Sequence, residues 1–451
     1  MSVAAGPTIE VQNFPGRDDL EELLFSMLPS GWWEAVQSSD EATLQQLKSG
    51  LHNPDIVAQL GSAGWVAPHY DIEHGGRGLS RDDARSALTL LALWEVPHVP
   101  RGAGLPLAAP TIQQWSSDET KRRLLPPLLT GTERWCQLFS EPGAGSDMAS
   151  LATTAVRDGD EWVVNGQKVW TTFGHEAERA MLIARTDPAA PKHAGITYFG
   201  LDMRAQGVEV RQLVNIAGQV EFNEVFLTDV RVSDCDRISP VGDGWKAAMT
   251  TLGAERHALS GVRKKRKSSD EILGGKPFSE VLQMAQQRGL TGDDRVRQVL
   301  TAAFTADRIL TWTAQRARDR ARSGQPVGPE GSITKIAKAM TNQRLQEIAV
   351  RLLGADAIAW NAADVDANEW IVQFLRTRAN SIEGGTSEIQ RNIVGERVLG
   401  LPREPDPYHG AAWRDRVAHW WSVLCTLLGD AVVVSRRGPS HPEEQTVSRA
   451  L

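Results

Sequence analysis

The 451-residue sequence is poor in cysteine and tyrosine, with three of each. Cys136, Cys235 and Cys425 are far apart, odd in number and without metal-ligand spacing. That pattern excludes a disulfide framework and a cysteine-built metal centre, and it fits a reducing, cytoplasmic compartment. No run approaches the roughly 18 uninterrupted apolar residues of a transmembrane helix, so no span is expected. Met1–Glu10 lacks a basic patch followed by an apolar run, so no secretory signal is expected. Positive charge is not in excess: 49 Lys and Arg stand against 56 Asp and Glu, a net charge of −7. A nucleic-acid partner therefore has no global electrostatic support. No G-x-G-x-x-G opens a βα unit, which argues against a Rossmann nucleotide site. Internal repeats are lacking too.

What remains is an ordinary globular composition, 41% hydrophobic and 23% charged, in a chain long enough for about two or three domains. Residues 1–135 read as helical. Leu20, Leu23, Leu24, Met27 and Leu28 share one helical face. Ser86–Val96 is a short apolar helix, and Lys121–Leu129 is a helix that Pro126 and Pro127 must end or bend. Residues 136–240 read as a small β domain. Asp158-Gly159 and Asn165-Gly166 are hairpin turn signals flanking a short strand, Glu161–Val164. Further strands are expected over 181–184, 195–201, 208–213 and 221–232. The helical period returns over 241–404. Val296, Val299, Leu300, Ala303 and Phe304 form one face, and Ile333, Ile336, Ala337, Met340, Ile348, Ala349 and Leu352 another. A third helix is expected over Ser387–Leu399. Segregation of helices, strands and helices predicts an α+β fold. Residues 405–451 form an extension, with a helical apolar face running from Trp413 through Val417, Trp420, Trp421 and Leu424 to Leu428. That face reads as a packing or partner surface, dispensable for cofactor binding, and the polar end from Arg436 reads as disordered.

The segment that points most directly to chemistry is FSEPGAGSD, Phe139–Asp147. Pro142 fixes φ, Gly143 and Gly145 permit close backbone approach, and Ser140 and Ser146 add hydroxyls. Such a loop can cradle a phosphate or the polar edge of a flat ring system. Four further segments follow in a fixed order: WVAPHYDIEHGGRGLS at 65–80, VNGQKVWTT at 164–172, FNEVFLTDVRV at 222–232 and IEGGTSEIQRNIVGERVLGLPR at 382–403. Together they resemble the acyl-CoA dehydrogenase family over residues 15–404, in its actinobacterial branch of fatty-acid and steroid catabolism.

The resemblance implies an N-terminal α-helical domain, a central β domain and a C-terminal four-helix bundle, with FAD between the β domain and the bundle. It implies α,β-dehydrogenation of an acyl-CoA to the trans-2-enoyl-CoA, with electrons passed to an electron-transfer flavoprotein. Phe139 and Ser140 would contact the isoalloxazine edge. Trp170 and Thr172 would pack on and hydrogen-bond the flavin. Thr386 and Ser387 would meet the adenine side or pyrophosphate, and Ser146 and Arg256 the CoA thioester. The α-proton needs a carboxylate in a dry pocket. The family places that Glu in one of two positions. In Leu252-Gly253-Ala254-Glu255-Arg256 it is Glu255. In Glu383-Gly384-Gly385-Thr386 the aligned position is Gly384, and Glu383 is displaced by one residue, which makes it the runner-up. Two departures stand out. RKKRKSSDEILGGKPF at 263–278 replaces the family's Arg-x-x-Phe-Gly pattern. Gly354-Ala355-Asp356-Ala357 replaces its G-G-x-G turn and puts a carboxylate where a pyrophosphate would approach. The family also implies a homo-oligomer or a heterotetramer with a related chain. A non-catalytic partner subunit and an oxygen-using flavin enzyme of the same fold are the alternative readings.

Overall fold

The computed structural model describes residues 11–260, 274–323, 328, 331–358 and 365–416. The N-terminal region folds as α1 (Arg17–Met27), α2 (Trp32–Ser38), α3 (Glu41–Ser49), α4 (Asn53–Ser62), α5 (Arg81–Leu93), α6 (Ala109–Trp115) and α7 (Asp118–Leu129). On α1, Leu20 and Leu24 are fully buried, and Leu23, Met27 and Leu28 pack partly against the same core. Ser117 caps α7 by accepting from the Thr120 N–H. Pro126 and Pro127 lie inside α7 and do not stop it before Leu129. They sit in its last turn, where their carbonyls still accept from the N–H groups of Thr130 and Glu133.

A seven-stranded sheet follows: β1 (Trp135–Leu138), β2 (Thr154–Asp158), β3 (Glu161–Thr172), β4 (Arg179–Arg185), β5 (Ile196–Asp202), β6 (Val208–Val214) and β7 (Val220–Ser233). β4 runs parallel to β1 and antiparallel to β5. β2, β3, β7 and β6 form an antiparallel ribbon, joined to β4 by the pair Thr154 and Arg185. Asp158-Gly159 turns β2 into β3, with Gly159 at φ 62°. Asn165-Gly166 makes no turn, contrary to the sequence signal: β3 runs through it without reversing. Its glycine is explained by a close approach instead. A Cβ at Gly166 would lie 2.3 Å from Thr153 Oγ1 and 2.8 Å from its Cα.

The chain then returns to helix in α8 (Gly244–Ser260), α9 (Phe278–Gln287), α10 (Asp294–Arg322), α11 (Gly331–Leu353), α12 (Val365–Arg376) and α13 (Ser387–Ile393). Val281, Leu300, Ala303, Leu345, Ile348 and Trp370 make the bundle core. Trp162, Leu182, Phe199 and Val225 make a core within the sheet. A larger core joins the N-terminal helices to Met181, Ile183 and Tyr198 of the sheet and Ala247 and Ala248 of α8. The N-terminal helices and α8 thus pack against the sheet through one shared core. Among the described residues no helix is long and apolar enough to cross a membrane. The basic run Arg263–Lys267, and Val417, Trp420, Trp421, Leu424, Leu428 and the end from Arg436, lie outside the described residues.

The reading of Gly166 is open to test. Gly166→Ala is expected to destabilise the protein by about 1–3 kcal/mol through overpacking against Thr153. Gly143→Ala, whose Cβ would meet nothing within 4 Å, should leave stability nearly unchanged. Thermal melts of both variants check the contrast, and equal melting temperatures would contradict it.

Candidate active site

Strand alternation explains how the Phe139–Asp147 loop is fixed. Trp162, Val164, Gly166 and Lys168 occupy the inward parity of β3, and Lys168 has no solvent exposure. Its Nζ donates to the carbonyl of Phe139 (3.1 Å), Glu141 Oε1 (2.8 Å) and the carbonyl of Ile183 (2.9 Å). Those are all three donors an ammonium has. Glu141 is buried too. It also accepts from the N–H groups of Ala152 (2.7 Å) and Thr153 (3.0 Å), and its backbone bonds both ways with Ala144 to close the turn. Burial acts to raise the Glu141 carboxyl, but the Lys168 ammonium and the N–H donors outweigh it and hold it below the usual range. The Val169 N–H donates to the carbonyl of Ser140 at 2.9 Å, laying the loop along β3. Sequence reasoning missed Glu141 and Lys168. A lysine on the inward parity of a strand was the signal that marks them.

Immediately after Lys168 the register of β3 against β7 shifts. Trp170 sits in that irregularity at φ 63° with its side chain 61% exposed. A left-handed backbone at a bulky residue is strained. Its indole meets Phe222 edge-on at 6.0 Å and otherwise faces outward. Thr171 turns inward, and its buried hydroxyl has no partner among the described residues. Thr172 is half-buried opposite Phe222. Phe139 is buried edge-on to Tyr198 at 5.7 Å. Its ring is therefore core, and only its backbone can serve a ligand. Ser140 is half-buried and Ser146 is exposed.

The bundle meets this end of the sheet through Arg376. Its guanidinium pairs with Glu221 of β7 at 2.8 Å and with Glu383 at 3.1 Å, and lies 5.7 Å from the Phe222 ring. Glu383 also accepts from Asn380 Nδ2 at 2.8 Å. Thr386 caps α13 by accepting from the Ile389 N–H, and Ser387 is buried. Lys335 of α11 supports this turn from beneath, donating to the carbonyls of Asn380 (3.0 Å) and Gly385 (2.7 Å). Burial pulls the Lys335 amine below its usual range, while the carboxylates of Glu383, Glu388 and Glu255 pull the other way. Lys335 was not anticipated from sequence.

Glu255 is half-buried on α8. One turn earlier, fully buried Thr251 shares hydrogen bonds with Thr111 of α6 (2.8 Å) and Tyr198 of β5 (3.1 Å). Trp115 Nε1 donates to Thr250 at 2.9 Å. Spacing of four residues puts Glu255 on the Thr251 face, so these bonds fix the helix that carries it. The Arg256 side chain lies outside the described residues. Asp356 pairs with Arg288 at 2.6 Å, and Arg288 also donates to the carbonyl of Leu353. A cation of the same bundle therefore balances the carboxylate that stands in this turn.

The donor set fits a flat, polar-edged cofactor. Gly143 and Gly145 have neither a left-handed φ nor a neighbour within 4 Å of a built Cβ, so the chain's own packing does not demand glycine there. The backbone there is open to the approach of a ligand. The exposed Trp170 and the unpaired Thr171 hydroxyl lie on the adjoining strand. A β domain packed against helices, with this loop at its edge, fits a flavin-binding oxidoreductase. Comparison with known proteins makes the class specific. Models of the acyl-CoA dehydrogenase N-terminal, middle and C-terminal domains match residues 37–132, 136–230 and 242–399. Acyl-CoA dehydrogenase IpdE1 of Mycobacterium tuberculosis is 38% identical over 346 residues, covering 77% of this chain and 87% of its own. The Tcur3481–Tcur3483 steroid ACAD superposes with a TM-score of 0.65 at 25% identity, covering 88% of this chain and all of that one. The ChsE4–ChsE5 complex from Mycobacterium tuberculosis gives 0.62 at 27%, with 88% of this chain and all of that chain covered. The chain belongs to the acyl-CoA dehydrogenase family, whose members are FAD-dependent oxidoreductases.

Glu141→Gln leaves a buried ammonium without its counter-charge, which is expected to cost about 3–5 kcal/mol. The folded carboxyl lies low, so its contribution is complete above the unfolded carboxylate's range and is lost as pH falls through the folded value. Melting temperatures of wild type and variant should differ at neutral pH and converge in acid. A gap that persists unchanged in acid would contradict this account.

Proposed function

We propose that this chain dehydrogenates an acyl-CoA thioester between its α and β carbons, giving the trans-2-enoyl-CoA, in the cytoplasm. The reading treats residues 1–135, 136–240, 241–404 and 405–451 as three domains and an extension. Its main support is the clamped Phe139–Asp147 loop beside the strained, outward-facing Trp170. Bound FAD supplies the two-electron acceptor for the β-hydrogen. Backbone groups of Phe139 and the Ser140 hydroxyl serve the polar edge of the ring. The Trp170 indole shields one ring face from water, and Thr172 offers a hydroxyl. Thr386 and Ser387 serve the dinucleotide end. Ser146 and Arg256 serve the CoA part of the substrate.

Glu255 is our assigned base for the α-proton. Its support is physical: α8, which carries it, is stitched to α6 and β5 one turn before it. Glu383 is held by Arg376 and Asn380 at the joint between β7 and the bundle. A carboxylate tied into a joint between the β domain and the bundle suits a structural role. The partner assigned to take up electrons is an electron-transfer flavoprotein. The free thiols of Cys136 and Cys235 support the cytoplasmic placement. For assembly we favour pairing with a related chain, because two solved relatives carry two-protein names.

Purified protein should carry about one flavin per active site, bleached without oxygen by one or more acyl-CoAs of a panel. A folded protein that takes up no FAD overturns the reading for the isolated chain. Glu255→Gln should slow bleaching about 10²–10⁴-fold while flavin and thioester still bind. Glu383→Gln should affect the chemical step far less. If Glu383→Gln is the slow variant, the assignment reverses. If neither matters, the base lies on a partner chain.

A further inference from the structure

The family C-terminal domain matches only to residue 399, yet the chain beyond it returns to the β domain. Arg416 folds residues 406–416 into a closed loop, donating to the Tyr408 carbonyl (2.6 Å) and Asp406 (2.5 Å). This loop straps onto the β4–β5 connection. Ala412 bridges Pro191, the Trp413 N–H donates to the Ala190 carbonyl (3.0 Å), and the Arg414 N–H to the Pro188 carbonyl (3.1 Å).

Beneath the strap lies Arg185, only 1% exposed, with its guanidinium 4.4 Å from the Trp413 ring centroid. Arg185 donates to three carbonyls: Ala149 (2.7 Å), Leu151 (3.2 Å) and Lys192 (3.1 Å). Lys192 in turn pairs with both oxygens of Asp147. The side-chain ties of this hub end on residues 147–151 or on the β4–β5 connection, directly after Ser146, and the Arg185 N–H donates to the Thr153 carbonyl at 2.7 Å. The indole covers the buried guanidinium at the centre of these ties.

We propose that Trp413 is a positioning residue for the CoA thioester, an inference that rests on the functional reading above. By seating Arg185, the extension fixes the Asp147–Leu151 turn and with it the Ser146 side of the mouth. Glu141 and Lys168 hold the Phe139–Ser140 side and also Ala152 and Thr153 beyond the turn, and both remain when the indole is lost, so substrate binding should weaken more than cofactor binding. The extension thereby acts on substrate affinity, beyond the packing or assembly role that its apolar face implies.

The test uses full-length holoenzyme with Trp413→Ala, Trp413→Leu and Trp413→Phe. An indole over a buried guanidinium contributes enough that Trp413→Ala should raise KM for a bleaching acyl-CoA about 3- to 30-fold. Flavin content and the limiting rate of reduction should hold. Amide hydrogen exchange over residues 146–152 should quicken. Trp413→Leu keeps bulk without a π face and should resemble Trp413→Ala, whereas Trp413→Phe should recover most of the affinity. Unchanged KM in Trp413→Ala, or in Trp413→Leu should the alanine variant not fold, overturns the inference. So does loss of flavin in step with affinity, which would make the strap a cofactor device. A wild type that no acyl-CoA bleaches defeats the functional reading instead, and unchanged exchange then defeats the mechanical link as well.

Discussion

The contact between Glu141 and Lys168 joins a glycine-bearing loop, otherwise free to move, to the inward face of a strand. Lys168 reaches three acceptors: the Phe139 carbonyl and Glu141 in the loop after β1, and the Ile183 carbonyl of β4. Glu141 gathers the N–H groups of Ala152 and Thr153 at the far end of the loop. Both ends of residues 139–153 are thereby fixed to one buried charge pair. Burying two charges costs several kcal/mol each before their attraction is counted. An apolar pair of equal volume would not reach four separate backbone groups in defined directions. The ion pair is therefore best understood as fixing geometry rather than adding net stability.

The same logic recurs at the other joint. Arg376 links Glu221 of the sheet to Glu383 of the bundle, and Lys335 anchors the turn between Glu383 and Thr386 through two carbonyls. These two cations fix the bundle's contribution relative to Phe222 and so to Trp170. Between the clamps lies the strained Trp170. Backbone strain of this kind persists only where surrounding contacts over-determine it. Here the ladder to β7 on one side and the Lys168 clamp on the other supply those contacts.

The helix–sheet–helix order was legible because periods of 3.6 and 2 are written in side-chain polarity, as at Leu20 and Leu24 or along Val225 and Leu227. The loop Phe139–Asp147 and the exposed Trp170 were legible because their residue types recur in a fixed order. What failed were features that depend on a distant neighbour. Asn165-Gly166 carries the local chemistry of a turn, but Thr153 decides its glycine. Asp356 looks hostile to an anion until Arg288 is placed beside it. The choice between Glu255 and Glu383 turned on one residue of spacing in the sequence. The structure adds what Glu383 touches, which no spacing conveys. Trp413 read as one residue of an apolar helical face, whereas its observed partner is a guanidinium 228 positions earlier in a loop-holding role.

These contacts suspend the loop from two linked supports. Glu141 and Lys168 hold the start of the loop at Phe139 and Ser140, and Arg185 holds its end at Ala149 and Leu151. The two hubs touch through Thr153, whose N–H donates to Glu141 and whose carbonyl accepts the Arg185 N–H at 2.7 Å. The tip, Pro142 to Ser146, is thus suspended between two buried cations; Ala144 packs into the core, and Pro142, Gly143, Gly145 and Ser146 are exposed. A loop held rigidly at both ends and left open at its tip can present backbone N–H groups to a ligand without first losing conformational entropy. On the proposed function, reorganisation avoided in this way serves both ligands, the cofactor at one end of the loop and the thioester at the other.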